Sequence, residues 1–194
     1  MKPEISVIMP VLNGERYLRE AIGSILSQSF SNFEFIIIND GSTDDTEKIV
    51  KSYHDPRIIY IKNTGTKGLS ISFNIGIRIA RGDFIARMDA DDISLRERFE
   101  KQVNYLEDNP NIGILGSSAT LINENGRVIK KHSRPTRHMD IKWASLFSTP
   151  LIHPTVMARA EILKDNQYDE TLTNSEDYEL WNRLLFLIGT KFGN

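Results

Sequence analysis

The sequence holds no cysteine among its 194 residues. That removes disulfides, thiolate metal sites and cysteine nucleophiles in one step, and it suits a reducing compartment. Excess positive charge is also missing: 24 Lys and Arg stand against 26 Asp and Glu, a net charge of −2. A general nucleic-acid binder carries a strong basic surplus, so no nucleic-acid partner is expected. No apolar run approaches the roughly 20 residues that span a bilayer; the last one, Leu184 to Ile188, is far too short. The amino terminus has no apolar signal core with a small-residue cleavage site. The expected location is therefore cytoplasmic. There is no Gly-x-Gly-x-x-Gly, no Walker A segment and no serine in a nucleophile elbow, which removes the motif case for a dehydrogenase, a P-loop NTPase or a serine hydrolase.

What is present is ordinary globular chemistry, with 40% apolar and 26% charged residues, in a definite order. Ile5–Met9 reads as a strand ended by Pro10. Glu15 to Gln28 places Tyr17, Leu18, Ala21, Ile22, Ile25 and Leu26 at helical spacing. Phe33–Ile38 is a near-continuous apolar run, the mark of a strand buried on both faces. Asp44 and Glu47 open a helix to about Tyr53. Ile58–Ile61 is a third strand, Leu69–Ala80 a helix, and Phe84–Met88 a fourth strand. Ser94 with Glu97, and later Thr173 with Glu176, have capping-box spacing. This alternation predicts right-handed βαβ crossovers and a mostly parallel, Rossmann-like sheet flanked by helices. The second half is less regular. Ile112–Leu121 reads as a strand and Asn125-Gly126 as a hairpin turn. Lys130 to His138 reads as a basic loop, Ile141–Phe147 as a short helix and Thr155–Met157 as a strand. A last helix carries Tyr178, Leu180, Trp181, Leu184 and Leu185. We expect one domain over 1–194, divided functionally near residue 92.

In open parallel sheets, ligands bind beyond the carboxyl ends of the strands. The chemistry-bearing turns stand there: Pro10 to Gly14 after the first strand, Asn39 to Ser42 after the second, and Asp89-Ala90-Asp91-Asp92 after the fourth. Three carboxylates in four residues repel one another unless neutralised. A Mg²⁺ or Mn²⁺ ion would do so, since hard cations prefer carboxylate oxygen; a solvated acidic turn ahead of a helix would also account for them. Asp40 either accepts a hydrogen bond from a ligand or simply builds the Asp-Gly-Ser turn. Glu176-Asp177 either supplies a general base or caps the last helix. The Lys130–His138 run either contacts an anion or is a solvated loop, and His153 reads as structural.

Taken in order, these motifs resemble family 2 glycosyltransferases of the GT-A fold. The resemblance is carried by Ser6 to Gly14, Ile38 to Asp44, Ala80 to Asp83, Asp89 to Asp92 and Ser175 to Trp181. It implies an inverting transferase that moves sugar from a nucleotide-diphosphate donor, chiefly a UDP-sugar, to an acceptor hydroxyl in glycan or surface-polysaccharide synthesis. It implies that Asp177 is the catalytic base, that Asp91 holds the divalent metal and that Asp89 lies beside metal or ribose. Asp40 would read the base, Pro10 and Asn13 would form the first nucleotide-contact loop, and Arg81 would lie near the diphosphate. Residues 1–92 would form the nucleotide-sugar half and 93–194 a mixed, acceptor-side half. The acceptor would be a sugar or a lipid-linked glycan, and the latter would hold the protein at the inner face of a membrane. Leu12 departs from the pattern, which has an aromatic residue there, as does Asn39, where a second Asp is common. The Gln-x-x-Arg-Trp motif of processive synthases is not seen. Two other readings stay open: a nucleotide-sugar-binding module without transfer, and a nucleotidyltransferase, which the absence of a Gly-rich basic loop after the first strand disfavours.

Overall fold

A computed structural model describes residues 2–194. In chain order the strands and helices are β1 (Ile5–Val11), α1 (Leu18–Leu26), β2 (Phe33–Asn39), α2 (Thr46–Lys51), β3 (Ile58–Lys62), α3 (Leu69–Ile79), β4 (Phe84–Arg87) and α4 (Arg98–Asp108). There follow β5 (Ile114–Leu115), β6 (Ala119–Ile122), β7 (Val128–His132), α5 (His138–Ala144), β8 (Met157–Arg159), α6 (Ala160–Asp165), α7 (Glu176–Asn182) and β9 (Phe192–Gly193). Seven strands form one sheet in the order β3-β2-β1-β4-β8-β5-β9. The first four are parallel. β8 runs antiparallel to both β4 and β5, and β9 is parallel to β5. The mixed edge therefore comes from the second half of the chain.

The period-two alternation of β1 and β2 divides the core. Ile5, Val7, Met9, Phe35 and Ile37 pack on α1, α2 and α4. Ile8, Ile36 and Ile38 pack on the other side, against α3 and the second-half helices α5, α6 and α7. Both strands are buried along their whole length, which is why they read as continuous apolar runs.

Several sequence expectations shift. β1 does not end at Pro10 but runs through it to Val11. Ile8 offers its carbonyl to Met88 N–H, on the β4 side, and Pro10, two residues on, faces the same way. β4 has ended by Arg87, so the missing proline N–H breaks no ladder bond. Neither capping box forms. Ser94 is drawn instead to Gln28 and Ser24, and α4 begins only at Arg98. Ser175 enters α7 in the left-handed region, at φ 61°. The long strand expected over 112–121 is two short ones, β5 and β6. The strand expected from Thr155 begins at Met157, after a 3₁₀ turn at His153–Thr155. The basic run is no loop at its start: Lys130 to His132 belong to β7, which pairs with β6 through the expected Asn125-Gly126 turn.

Candidate functional site

The sheet order places the topological switch between β1 and β4, since crossovers leave β1 toward β2 on one side and enter β4 from α3 on the other. That is where an open sheet leaves a crevice. The turns after β1 and β4 meet there: a Cβ added to Gly14 would lie 3.8 Å from Ala90 Cβ.

The turn after β1 is clamped to the turn after β2. Asn13 takes φ 52°, a left-handed conformation that Asn tolerates better than most residues. Its N–H donates to Ser42 Oγ and its Oδ1 accepts from Thr43 N–H, both at 2.9 Å. Gly14 N–H donates to Thr46 Oγ1, and Glu15 N–H to Asp44 Oδ2. Thus Asn13 shapes the loop, while Pro10 is buried in β1 beneath it. Leu12, at the loop's crest, is 49% exposed.

Asp40 has a job that the sequence did not announce. It is 5% exposed. Its Oδ1 accepts from Asn63 Nδ2 at 2.7 Å and Lys67 N–H at 3.0 Å, and its Oδ2 from Gly68 N–H at 2.9 Å. The carboxylate thus fastens the loop between β3 and α3. Among the described residues Oδ2 takes only that one donor, so one of its lone pairs has no protein partner.

The acidic turn is electrostatically crowded. Arg87, buried in β4 and stacked over Phe73, reaches Asp89 Oδ1 at 3.1 Å. Even so the Asp89 carboxyl is pushed up, chiefly by burial, with Arg87 opposing and Asp91 adding to the rise. Asp92 is pushed up to about 6, first by burial and then by Asp89 and Asp91. Arg98 lies behind the turn, donating to the carbonyls of Arg87 and Val156; burial lowers it to about 10 against the pull of Asp92 and Asp89. Among the described residues no three His, Asp or Glu side chains converge closely enough to ligate an ion by themselves. A divalent ion fits this turn in another way. The donor set is all hard oxygen, and Mg²⁺-type sites commonly take one or two carboxylates and complete their shell with substrate phosphates and water.

Asp177, at the start of α7, is linked to Asp89 through side chains: Asp89 pairs with Arg87, Arg87 stacks over Phe73, and Phe73 lies 6.1 Å from His153, the neighbour of Asp177. Its Oδ2 accepts from Thr149 Oγ1 at 3.1 Å and its Oδ1 from Tyr178 N–H at 2.7 Å. His153 Nδ1 stands 3.9 Å from Oδ2. The structure thus brings together Asn13, Asp89, Asp91 and Asp177 at one sheet edge. It adds Arg87, Arg98 and Thr149, of which only Arg87 left a sequence signal, since a charge inside an apolar strand needs a partner, and it brings in His153, which the sequence reading took as structural.

Arg81 is not in this site, contrary to expectation. Its N–H and side chain bind Glu34, and its N–H also reaches Ser6 Oγ. Ser6 and Glu34 are paired residues near the starts of β1 and β2. That is the opposite end of the strands, about 17 Å from Val11, the last residue of β1, at roughly 3.3 Å per strand residue. The buried Glu34 carboxylate, hydrogen-bonded by Ser6, claims the guanidinium.

Comparison with known proteins gives the family and the fold. The family described as Glycosyl transferase family 2 matches residues 6–168. An uncharacterized glycosyltransferase of Methanocaldococcus jannaschii is 41% identical over 190 residues, covering 95% of this chain and 65% of its own length. The O-antigen biosynthesis glycosyltransferase WbnJ of Escherichia coli is 41% identical over 186 residues, covering 93% and 71%. S. aureus TarS in complex with UDP superposes with TM-score 0.79 at 24% identity, over 98% of this chain and 57% of that one. The mannosyltransferase PcManGT of Pyrobaculum calidifontis, solved with GDP-Man and Mn²⁺, gives 0.76 at 18% identity, over 100% and 55%. The fold is thus that of GT-A glycosyltransferases. The chain spans about two thirds of the length of these curated relatives and just over half of the solved chains.

Proposed function

The chain belongs to glycosyl transferase family 2, and from that premise we propose that it forms the donor site and base of an inverting transferase for a nucleotide-diphosphate sugar. One observation supports the reading: Asp89 and Asp177 belong to one side-chain cluster, Asp89 paired with Arg87, Arg87 stacked on Phe73, Phe73 beside His153, and His153 3.9 Å from Asp177. The clamped turns 12–16 and 39–45 bind and orient the nucleotide. Asp40 reads the base through its remaining lone pair, and UDP leads because the motif set resembles UDP-sugar enzymes. Asp91 and Asp89 would hold a Mn²⁺ or Mg²⁺ ion, which when bound would supply charge neutralisation for the leaving diphosphate. Asp177 accepts the proton of an acceptor hydroxyl as that oxygen attacks the anomeric carbon. A single displacement by that oxygen inverts the anomeric centre. A sugar or lipid-linked glycan, in polysaccharide synthesis, is the acceptor class; no helix among the described residues is long and apolar enough to cross a membrane.

The test is thermal stabilisation by UDP, GDP, CDP and dTDP, with and without Mn²⁺. A ligand at 100 times its dissociation constant adds about 2.7 kcal/mol to folded-state stability. We expect a metal-dependent rise with one nucleotide, absent in Asp91→Ala. Asp177→Asn should keep that rise and lose sugar transfer. Binding without turnover in the wild type would instead favour a donor-binding module, and no rise with any nucleotide would overturn the donor site.

A further inference from the structure

His153 sits on the 3₁₀ turn His153–Thr155, and its ring is enclosed. It packs perpendicular to Trp181, at 5.4 Å between centroids and 89° between planes, and lies 6.1 Å from Phe73. Its two nitrogens have different neighbours. Nε2 is 2.8 Å from Tyr168 Oη, and Nδ1 is 3.9 Å from Asp177 Oδ2.

These neighbours determine the tautomer. Tyr168 is buried at 5% exposure, and burial pushes its phenol above the ordinary value, so the hydroxyl keeps its proton. Among the described residues the only hydrogen-bond partner of that hydroxyl is His153 Nε2. A buried hydroxyl proton without an acceptor is costly, so O–H donates to Nε2. Burial first, and then the Arg87 charge, hold the imidazole well below its ordinary value and therefore neutral. A neutral ring that accepts at Nε2 carries its proton on Nδ1, the nitrogen beside Asp177.

A carboxylate has about four lone-pair sites. On Asp177, Oδ2 meets Thr149 Oγ–H and the approaching His153 Nδ1–H, while Oδ1 meets Tyr178 N–H. Two sites are claimed by hydrogen bonds, one on each oxygen, and His153 Nδ1 stands 3.9 Å from Oδ2, longer than a hydrogen bond. Once Nδ1–H closes onto Oδ2, the one lone pair left is on Oδ1, and that is the site that takes the proton of an acceptor.

We propose that Tyr168 and His153 form a relay of fixed hydrogen positions that orients the base Asp177, making His153 a positioning residue for transfer. The inference rests on Asp177 being the base. Apo contacts of this kind are often long and tighten in the substrate complex, so the 3.9 Å separation is expected to shorten there.

The first measurement needs no substrate. The chain has four histidines, and His153→Phe assigns the resonance of His153 in long-range ¹H–¹⁵N spectra. We expect a neutral ring protonated at Nδ1 at pH 7. An Nε2–H tautomer or an imidazolium would overturn the relay whatever Asp177 does. Tyr168→Phe removes the donor to Nε2 and should give a mixed tautomer; an unchanged Nδ1–H ring would also overturn it.

The second measurement is turnover of UDP-GlcNAc and GDP-mannose with Mn²⁺, read as nucleotide release. His153→Phe keeps ring packing but has no N–H, whereas His153→Asn loses the ring and returns an amide near Nδ1. We expect kcat to fall about 10- to 100-fold in His153→Phe, the range typical of outer-shell partners, with nucleotide affinity unchanged and partial recovery in His153→Asn. Full activity in His153→Phe, or recovery by ring shape alone, would overturn the proposal. Failure of the premise reads differently: Asp177→Asn would turn over normally while the tautomer stayed as described.

Discussion

Replacing Asp40 by alanine separates loop anchoring from base reading. The carboxylate accepts from Asn63, Lys67 and Gly68 at 2.7, 3.0 and 2.9 Å. Hydrogen bonds to a charged group contribute about 1.5–3 kcal/mol each. The simple sum overstates the loss, because the Lys67 and Gly68 bonds are only partly buried and their amides reach water once the loop lifts. Two bonds at the low end of that range give about 3 kcal/mol. For a chain of this size each kcal/mol moves Tm by about 2–4 °C, so Asp40→Ala should unfold about 6–12 °C below wild type. Asp40→Asn should fall between the two, since one oxygen still accepts while the amide group faces donors. The assay is thermal unfolding by circular dichroism without nucleotide, where base reading contributes nothing. A Tm within about 2 °C of wild type would refute the anchoring argument.

Three further outcomes follow from geometry. Gly82→Ala should destabilise by about 1–3 kcal/mol, because its Cβ would lie 2.6 Å from Ser6 N and 2.8 Å from Ile5 C, backbone that cannot step aside; a wild-type urea midpoint would contradict this. His138 Nδ1 accepts from Phe192 N–H, and burial, then Lys142 and Lys191, lower its pKa. With the folded value below the unfolded one, its contribution is full above about pH 6.5 and is lost as pH falls through the unfolded value toward the folded one. His138→Gln should therefore flatten the fall of Tm below that pH, and an unchanged slope would count against the assignment. The β6–β7 ribbon, exposed throughout β7, is tied to the first turn by an Arg16–Glu124 ion pair at 2.7 Å. Arg16→Ala should speed amide exchange in the ribbon without moving Tm, since exposed pairs contribute little to global stability; equal exchange rates would show that the tether is inactive.

Local order determined much of this protein before any folding. The apolar runs of β1, β2 and β4 could satisfy their burial only inside a sheet covered on both faces, and the intervening amphipathic stretches supplied the covering helices. The Asp-rich turn stood out as three carboxylates after a buried strand, and Asp177 because the order of motifs resembles the family's. The tertiary structure alone decided what depends on partners remote in sequence. Asp40 meets residues 23 to 28 positions later. Arg81 is captured by Glu34, 47 positions earlier, at the far end of the strands. β8, β5 and β9 extend the sheet with a reversal that short strands cannot announce. His153 gains its relation to Asp177 only when α7 closes over the 3₁₀ turn. A sequence specifies which groups need a partner. Which partner each obtains is settled by packing, because a buried charge or donor takes whatever complementary group the fold brings within about 3 Å.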